Sequence, residues 1–250
     1  MPAANFAAAL PETEAADLSY LRDSLSQIAA AQGLRPVVSD DWQALEALNA
    51  RHRDSWFELL PKPSAVPCFW VGLTTAEDEV VAVQASILLD CRARPYAARL
   101  TDLTAFYDAG NAPPDAYCFA ASPEARETRG AVAMMSSGWV HPDWRGGHRD
   151  LFHMSGRINR LEAVDRWQPD YLAALVETNV SRIWTERAVG ERHLDRHPTI
   201  MFHQPGEGRI TLHLMRFRPA AVISDLARRA SSPPTEWPGD ARSASRSAHG

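Results

Sequence analysis

Apolar residues recur at three- and four-residue spacing from Leu151 through Met154, Ile158 and Leu161, and Gln168-Pro169 ends the pattern. That spacing predicts a helix over 151–167. Met134 to Val140 before it reads as a strand, and His141 to Asp150 is a short basic turn carrying Gly146 and Gly147. Upstream, Leu18, Leu21, Leu25 and Ile28 predict a helix closed by Gly33. Asp40 with Gln43 suits a capping box. The helix it opens carries Trp42, Leu45, Leu48, Trp56 and Leu59 as far as Pro61 and Pro63. Residues 67–73 and 80–89 are β-prone runs around a polar turn, the pattern of an antiparallel hairpin. Residues 170–176 form a further apolar strand. Thr178 or Asn179 then starts a helix with Val180, Ile183, Trp184 and Ala188 on one face and Gly190 as its stop. Two last strands, 199–203 and 210–217, flank the turn signal Gln204-Pro205-Gly206-Glu207-Gly208.

Strands that alternate with helices and are flanked by hairpins predict an α/β fold, a mixed, mostly antiparallel central sheet flanked by helices. The domain scheme is an N-terminal extension with one helix (1–35), a central α/β domain (36–218) and a C-terminal helix remnant with a Ser-, Pro- and Arg-rich tail (219–250). Residues 91–129 interrupt the domain before the central strand. They hold four prolines, a short helical pattern over 100–107, and Tyr96, Phe106, Tyr107, Tyr117 and Phe119. This insertion reads equally as a substrate lid or as a packed surface element. The helix at 18–31 fits either the core or a second subunit of a homodimer.

Composition narrows the function classes. A 45% hydrophobic, 23% charged chain is that of a soluble globular protein. The net charge of −5 argues against nucleic acid as a partner. No apolar run is long enough for a membrane span, and no basic segment precedes an apolar one at the start, so a cytoplasmic location is expected. Three widely spaced cysteines, Cys68, Cys91 and Cys118, give neither a disulfide framework nor a zinc pair. His193 and His197 would share a face if that segment were helical, but no metal signature accompanies them, and no metal is expected.

A strand that feeds a glycine-bearing turn at a helix start is an anion-binding construction, because the first helical amides lack partners and the helix dipole favours negative charge. The segment Val140-His141-Pro142-Asp143-Trp144-Arg145-Gly146-Gly147 resembles the acyl-CoA-binding segment of the GNAT acyltransferase superfamily. There a strand ends in a Val-x-Pro-like step and an Arg/Gln-x-x-Gly-x-Gly/Ala turn wraps the CoA pyrophosphate. Aligned on Arg145, the two family glycine positions are His148 and Asp150 in this chain. The family also often carries Asn, Tyr seven residues on and Gly eleven residues on; Asn179 and Gly190 have that spacing, with Glu186 at the tyrosine position.

The resemblance implies a GNAT-like fold with an acyl-CoA, acetyl-CoA or a longer one, as co-substrate, and an N-acyltransferase, N-acetyltransferase in the simplest case, acting on a small-molecule or peptide amine. It assigns CoA contacts to Trp139, Val140, Arg145, Gly146, Gly147, His148, Arg149 and Asn179. A backbone N–H of Trp139 or Val140 is expected to polarise the thioester carbonyl. Proton handling falls to Glu177, Glu186 or His141, and Ser136 and Ser137 are candidate substrate contacts, one of which must face the core. The altered glycine and tyrosine positions leave a second expectation, a GNAT-like binding or regulatory protein without catalysis, in which Asp150 caps the helix and takes the phosphate's place.

Overall fold

The computed structural model describes residues 12–146, 150–181 and 192–230. Its elements begin with helix α1 (Glu12–Ala30), strand β1 (Arg35–Ser39) and helix α2 (Trp42–Arg51). The hairpin β2 (Cys68–Thr74) and β3 (Val80–Asp90) follows. The insertion contributes α3 (Tyr96–Thr101), β4 (Tyr117–Ala120) and α4 (Pro123–Glu127). Then come the central strand β5 (Ala131–Val140), a 3-10 turn (Pro142–Trp144) and α5 (Leu151–Trp167). The described chain closes with β6 (Tyr171–Glu177), β7 (Arg192–Leu194), the hairpin β8 (Ile200–Gln204) and β9 (Gly208–Phe217), and α6 (Pro219–Ala230).

The strands form one mixed sheet in the order β1-β2-β3-β5-β6-β9-β8-β4, with β7 also paired to β9. Among the described residues every pairing is antiparallel except β5 with β6. On one face, α5 lies against β2, β3 and β5 and is covered by α1 and α6. Leu21, Leu25, Met154, Ile158, Leu161 and Phe217 share that core. α5 is therefore buried nearly all round; even His153 and Arg157 are only 2% exposed. The opposite face is filled by α2 and the loop after it, through Leu45, Leu48, Trp56 and Trp70, and by the insertion, through Tyr96, Leu100 and Phe106 against Phe202 and Leu214.

Local chemistry explains the boundaries. α2 is capped by Asp41, whose carboxylate accepts from the Ala44 amide at 3.0 Å. The cap is thus one residue later than the sequence pattern suggested, and Asp40 pairs instead with Arg166. α2 also stops at Arg51, well short of Leu59. Beyond it Trp56 and Leu59 are buried from an irregular segment, so their helical spacing reflected burial alone. α5 ends where Gln168 takes the left-handed conformation (φ 43°) and its amide bonds to Val164, with Pro169 next. The insertion is packed, and its strand β4 forms the sheet edge beside β8. His193 lies in strand β7, so its helical register with His197 does not exist.

Candidate functional site

The parallel strands β5 and β6 pair only from Val132–Tyr171 to Met135–Ala174, yet β5 runs on to Val140 and β6 to Glu177. The two strands part, and a cavity of about 190 Å³ opens between their ends. β5 lines it with Ser136, Ser137 and Gly138, and β6 with the stretch from Ala174 to Glu177. Phe152 and Val180 border it on the α5 side, and Leu59, Leu60, Ile210 and Leu212 on the other.

A β-bulge shapes the β5 wall. Val83 pairs with Trp139 and Ala85 with Ser136, so Gln84 faces two residues, Ser137 and Gly138. Ser137 takes φ 58°, and the extra residue breaks the strict in–out alternation. Ser136 and Ser137 consequently both border the cavity, with hydroxyls 3.3 Å apart. Gln84 braces the bulge: its Nε2 donates to the Ser136 carbonyl at 2.5 Å, and Asn159 Nδ2 donates to the Gln84 carbonyl at 3.0 Å. A Cβ at Gly138 would stand 2.7 Å from the Phe152 ring and 3.0 Å from Gln84 Oε1, so only glycine fits there.

Beyond the bulge the register decides which amides face outward. The His141 amide donates to the Val81 carbonyl, and Val140 pairs with Ala82. In such a ladder Trp139 exchanges its bonds with β3, and Val140 turns its N–H and C=O to the other edge. The Val140 carbonyl indeed accepts from Arg145 Nε at 2.8 Å. Arg145 also donates through Nη2 to the Ser55 carbonyl at 2.8 Å, tying the turn to the segment after α2. Gly146, at φ 82°, has open space around it. Asp150 is the N-cap of α5 by backbone alone, without a side-chain cap bond. Its carboxylate is directed inward, 3.7 Å from Arg157 Nη2 and 3.9 Å from His153 Nε2. The start of α5 is therefore not closed by its own aspartate.

The sequence-derived residues separate in space. Glu177 lies at the cavity; His141 does not line it. His141 caps the 3-10 turn, its Nδ1 accepting from the Asp143 amide, and stands edge-on to Trp139 and His52 at 5.7 and 5.4 Å. Burial, then the neighbouring His141 and Arg51, push the His52 pKa below its usual value, although Asp54 and Glu79 pull it up. The Trp139 ring turns from the cavity, stacks on Trp56 at 5.0 Å and donates to Ser55 Oγ. Asn179 is exposed, its Oδ1 accepting from the Val180 amide. Gly147, His148, Arg149 and Glu186 lie outside the described residues.

Sequence reasoning missed Glu58 and Glu207, which border the cavity from loops, and Gln204, which borders it from the end of β8. Glu207 is ion-paired with Arg53. Glu58, Leu59, Leu60 and Gln204 also line a second, larger groove of about 890 Å³ that runs past Trp42, Glu46 and Lys62, so the cavity and this groove adjoin.

A hydrogen-bond hub fixes the far end of β6. Asp195, 6% exposed, accepts from Ser122 Oγ and His193 Nε2 on Oδ1, and from Thr199 Oγ1 and the Leu214 amide on Oδ2. Its carbonyl accepts from His213 Nδ1 at 2.9 Å, so His213 Nε2 accepts from Thr178 Oγ1 at 3.1 Å, next to Glu177. Glu124 Oε2 also stands 3.3 Å from His193 Nε2. These three side chains bring metal-type donors within 4.8 Å of one another, but each Asp195 oxygen already serves two donors.

No protein-family model and no curated protein matches the chain. Solved structures similar to it include TofI in an apo form, at 14% identity and TM-score 0.43 over 77% of this chain and 96% of that one. The apo form of a mutant agmatine N-acetyltransferase follows at 12% identity and TM-score 0.41, over 73% and 99% of the two chains. FeeM, an N-acyl amino acid synthase from uncultured soil microbes, aligns at 11% identity and TM-score 0.38 over 88% and 95%. At such values the chemistry has to be read from this chain's own residues.

Proposed function

We propose that the chain is an acyl-CoA-dependent N-acyltransferase. The observation that carries this reading is the parting of β5 from β6 beside a helix start whose N-cap, Asp150, makes no side-chain cap bond, with the Val140 amide on the open edge. A slender thioester arm suits the space between the strands. Its diphosphate suits the amides at the start of α5, together with the Arg145 charge and the backbone freedom of Gly146. Arg149 would add positive charge to the same turn, and His148 a ring nitrogen able to donate.

When bound, acyl-CoA supplies an acyl carbon activated by a thiolate leaving group. The Val140 amide is the donor suited to the carbonyl oxygen, because the Trp139 amide is committed to β3. A fixed donor of this kind contributes roughly 3–4 kcal/mol where negative charge develops. The amine nitrogen forms the new C–N bond as the C–S bond breaks and its electron pair leaves on sulfur. Nitrogen loses one proton and sulfur gains one. Glu177, at the end of β6 and beside the cavity, is the carboxylate suited to take the amine's proton through water. Ser136 and Ser137 are hydroxyls near the same cavity and suit the proton's return to sulfur.

Calorimetric titration with acetyl-CoA and longer acyl-CoAs tests the reading, followed by free-thiol release with a panel of amines. Micromolar binding and amine-dependent thiol release are expected. No binding at millimolar ligand removes the proposal, and binding without turnover on any amine makes the chain a CoA-binding module.

A further inference from the structure

The walls of the cavity carry a chemical signature of their own. Three carboxylates border it, Glu58, Glu177 and Glu207, and among the described residues not one Lys, Arg or His does. Glu207 is neutralised by Arg53, which also donates to the Trp56 carbonyl, so that guanidinium is occupied. Glu58 and Glu177 have no ion pair among the described residues. Apart from Gln204, whose Nε2 donates to the Leu59 carbonyl, the remaining wall on the side away from α5 is apolar: Trp56, Leu59, Leu60, Leu175, Ile210 and Leu212. Alternation along β6 puts Glu177 on the same face as Leu175, away from α5.

Resting on the acyltransfer reading, we infer that the acceptor is a cationic amine with an apolar body and no carboxylate. It reaches the cavity by the groove between α2 and the β8–β9 turn. The chemistry excludes the neighbouring classes one by one. An amino acid would bring its carboxylate into a chamber that, among the described residues, offers two unpaired carboxylates and no cation, and like charges repel there without a compensating partner. A polyamine would satisfy Glu58 and Glu177 but leave the leucine and isoleucine wall wetted, forfeiting the burial that drives association. An ammonium carried on an aryl or alkyl body meets both demands. The adjoining groove, about 890 Å³ and sharing Glu58, Leu59, Leu60 and Gln204, gives the amine a route separate from the turn at Arg145, so donor and acceptor approach from different sides.

The test pairs three probes with acetyl-CoA: 2-phenylethylamine, phenylalanine (the same body with a carboxylate added) and spermidine (the charge without the body). The expected kcat/KM for 2-phenylethylamine exceeds each of the others by at least ~10-fold, the factor that about 1.4 kcal/mol of discrimination produces. Glu58→Gln raises its KM by roughly 5- to 10-fold while the acetyl-CoA Kd stays put, as expected for the loss of one charged contact. Ile210→Asn, at a half-buried position, erases the preference over spermidine. Equal use of the three amines, preference for phenylalanine, or an unmoved KM in Glu58→Gln overturns the inference. So does a rate that climbs with acyl-chain length and ignores the amine's body, because the apolar wall then serves the donor. Amine binding to the protein alone, by calorimetry, separates the two failures. Phenylethylamine that binds while acetyl-CoA does not sinks the acyltransfer reading and leaves the pocket's selectivity standing. Acetyl-CoA that binds while the amine preference is absent sinks only the inference made here.

Discussion

Replacing Asp195 by alanine removes the acceptor for four donors at once. Two of them, Ser122 Oγ and the Leu214 amide, belong to residues with no exposed surface and cannot recruit water in its place. The other two, His193 and Thr199, are half-buried and recover part of their solvation. A buried polar group stranded in this way costs about 1–3 kcal/mol, so the two dry donors together set a loss of roughly 2–6 kcal/mol. For a chain of this size that corresponds to a fall in Tm of roughly 4–24 °C, with a central value near ~12 °C. Thermal and urea denaturation measure it, and the urea m-value should not change. The pH dependence adds a sign. Burial pushes the Asp195 carboxyl up, but the bonds from His193, Thr199 and the Leu214 amide outweigh it and hold the group below its ordinary value of 3.8. A carboxyl depressed in the fold contributes stability above its unfolded pKa and loses it as pH falls through the lower, folded value. The gap between the protein and Asp195→Asn should thus be full at pH 7 and close only below about pH 4. A loss under about 1 kcal/mol, or curves that stay parallel to the acid limit, would refute the assignment of this carboxylate as a hub.

Two further outcomes are expected. Gly138→Ala overpacks the contact with Phe152 and should cost about 1–3 kcal/mol and weaken acyl-CoA binding. Phe152→Leu in the same chain should restore part of both losses, and additive losses in the double-mutant cycle would mean the ring is not the obstacle. Burial raises the thiol pKa of Cys91 and of Cys118 to about 12, and raises that of the less buried Cys68 as well. In the native state at pH 8 a disulfide reagent should therefore react with Cys68 first and with the other two only after denaturation; fast labelling of Cys91 or Cys118 would contradict their burial.

The strand–turn–helix unit around Arg145 was legible because each part announces itself locally. The central strand ends at Val140 and the helix spans 151–167, as apolar spacing and the Gln168-Pro169 stop put them, although the strand starts three residues earlier, at Ala131; the two hairpins were equally readable. β1 escaped because Arg35-Pro36-Val37-Val38-Ser39 is a short edge strand made by pairing with β2, not by pattern. β7 escaped for the same reason, since three residues pair with β9. The site was half-visible. Glu177 could be named from its position at a strand end, but the bulge that brings Ser136 and Ser137 to one cavity depends on Gln84 and on a register no spacing encodes. Glu58 and Glu207 are brought there by loops, and the residues before Glu58 carry helical spacing without being helical. Arg145 was read as a phosphate ligand from its place in the turn. Its bonds to the Val140 and Ser55 carbonyls belong to tertiary structure that a local motif cannot show.

The tie from Arg145 to Ser55 has a kinetic consequence. Ser55, Trp56 and Glu58 are near neighbours on one stretch of chain, so the segment held by the guanidinium at one end forms a chamber wall three residues later. An anion that draws Arg145 towards itself loosens its grip on that stretch, and the arrival of one reactant thereby resets the fit for the next. Initial-rate plots should then intersect off the abscissa, because bound thioester changes the amine's affinity. An intersection on the abscissa, with the amine's affinity the same whether or not the thioester is bound, would show that the two reactants take no notice of each other through this stretch.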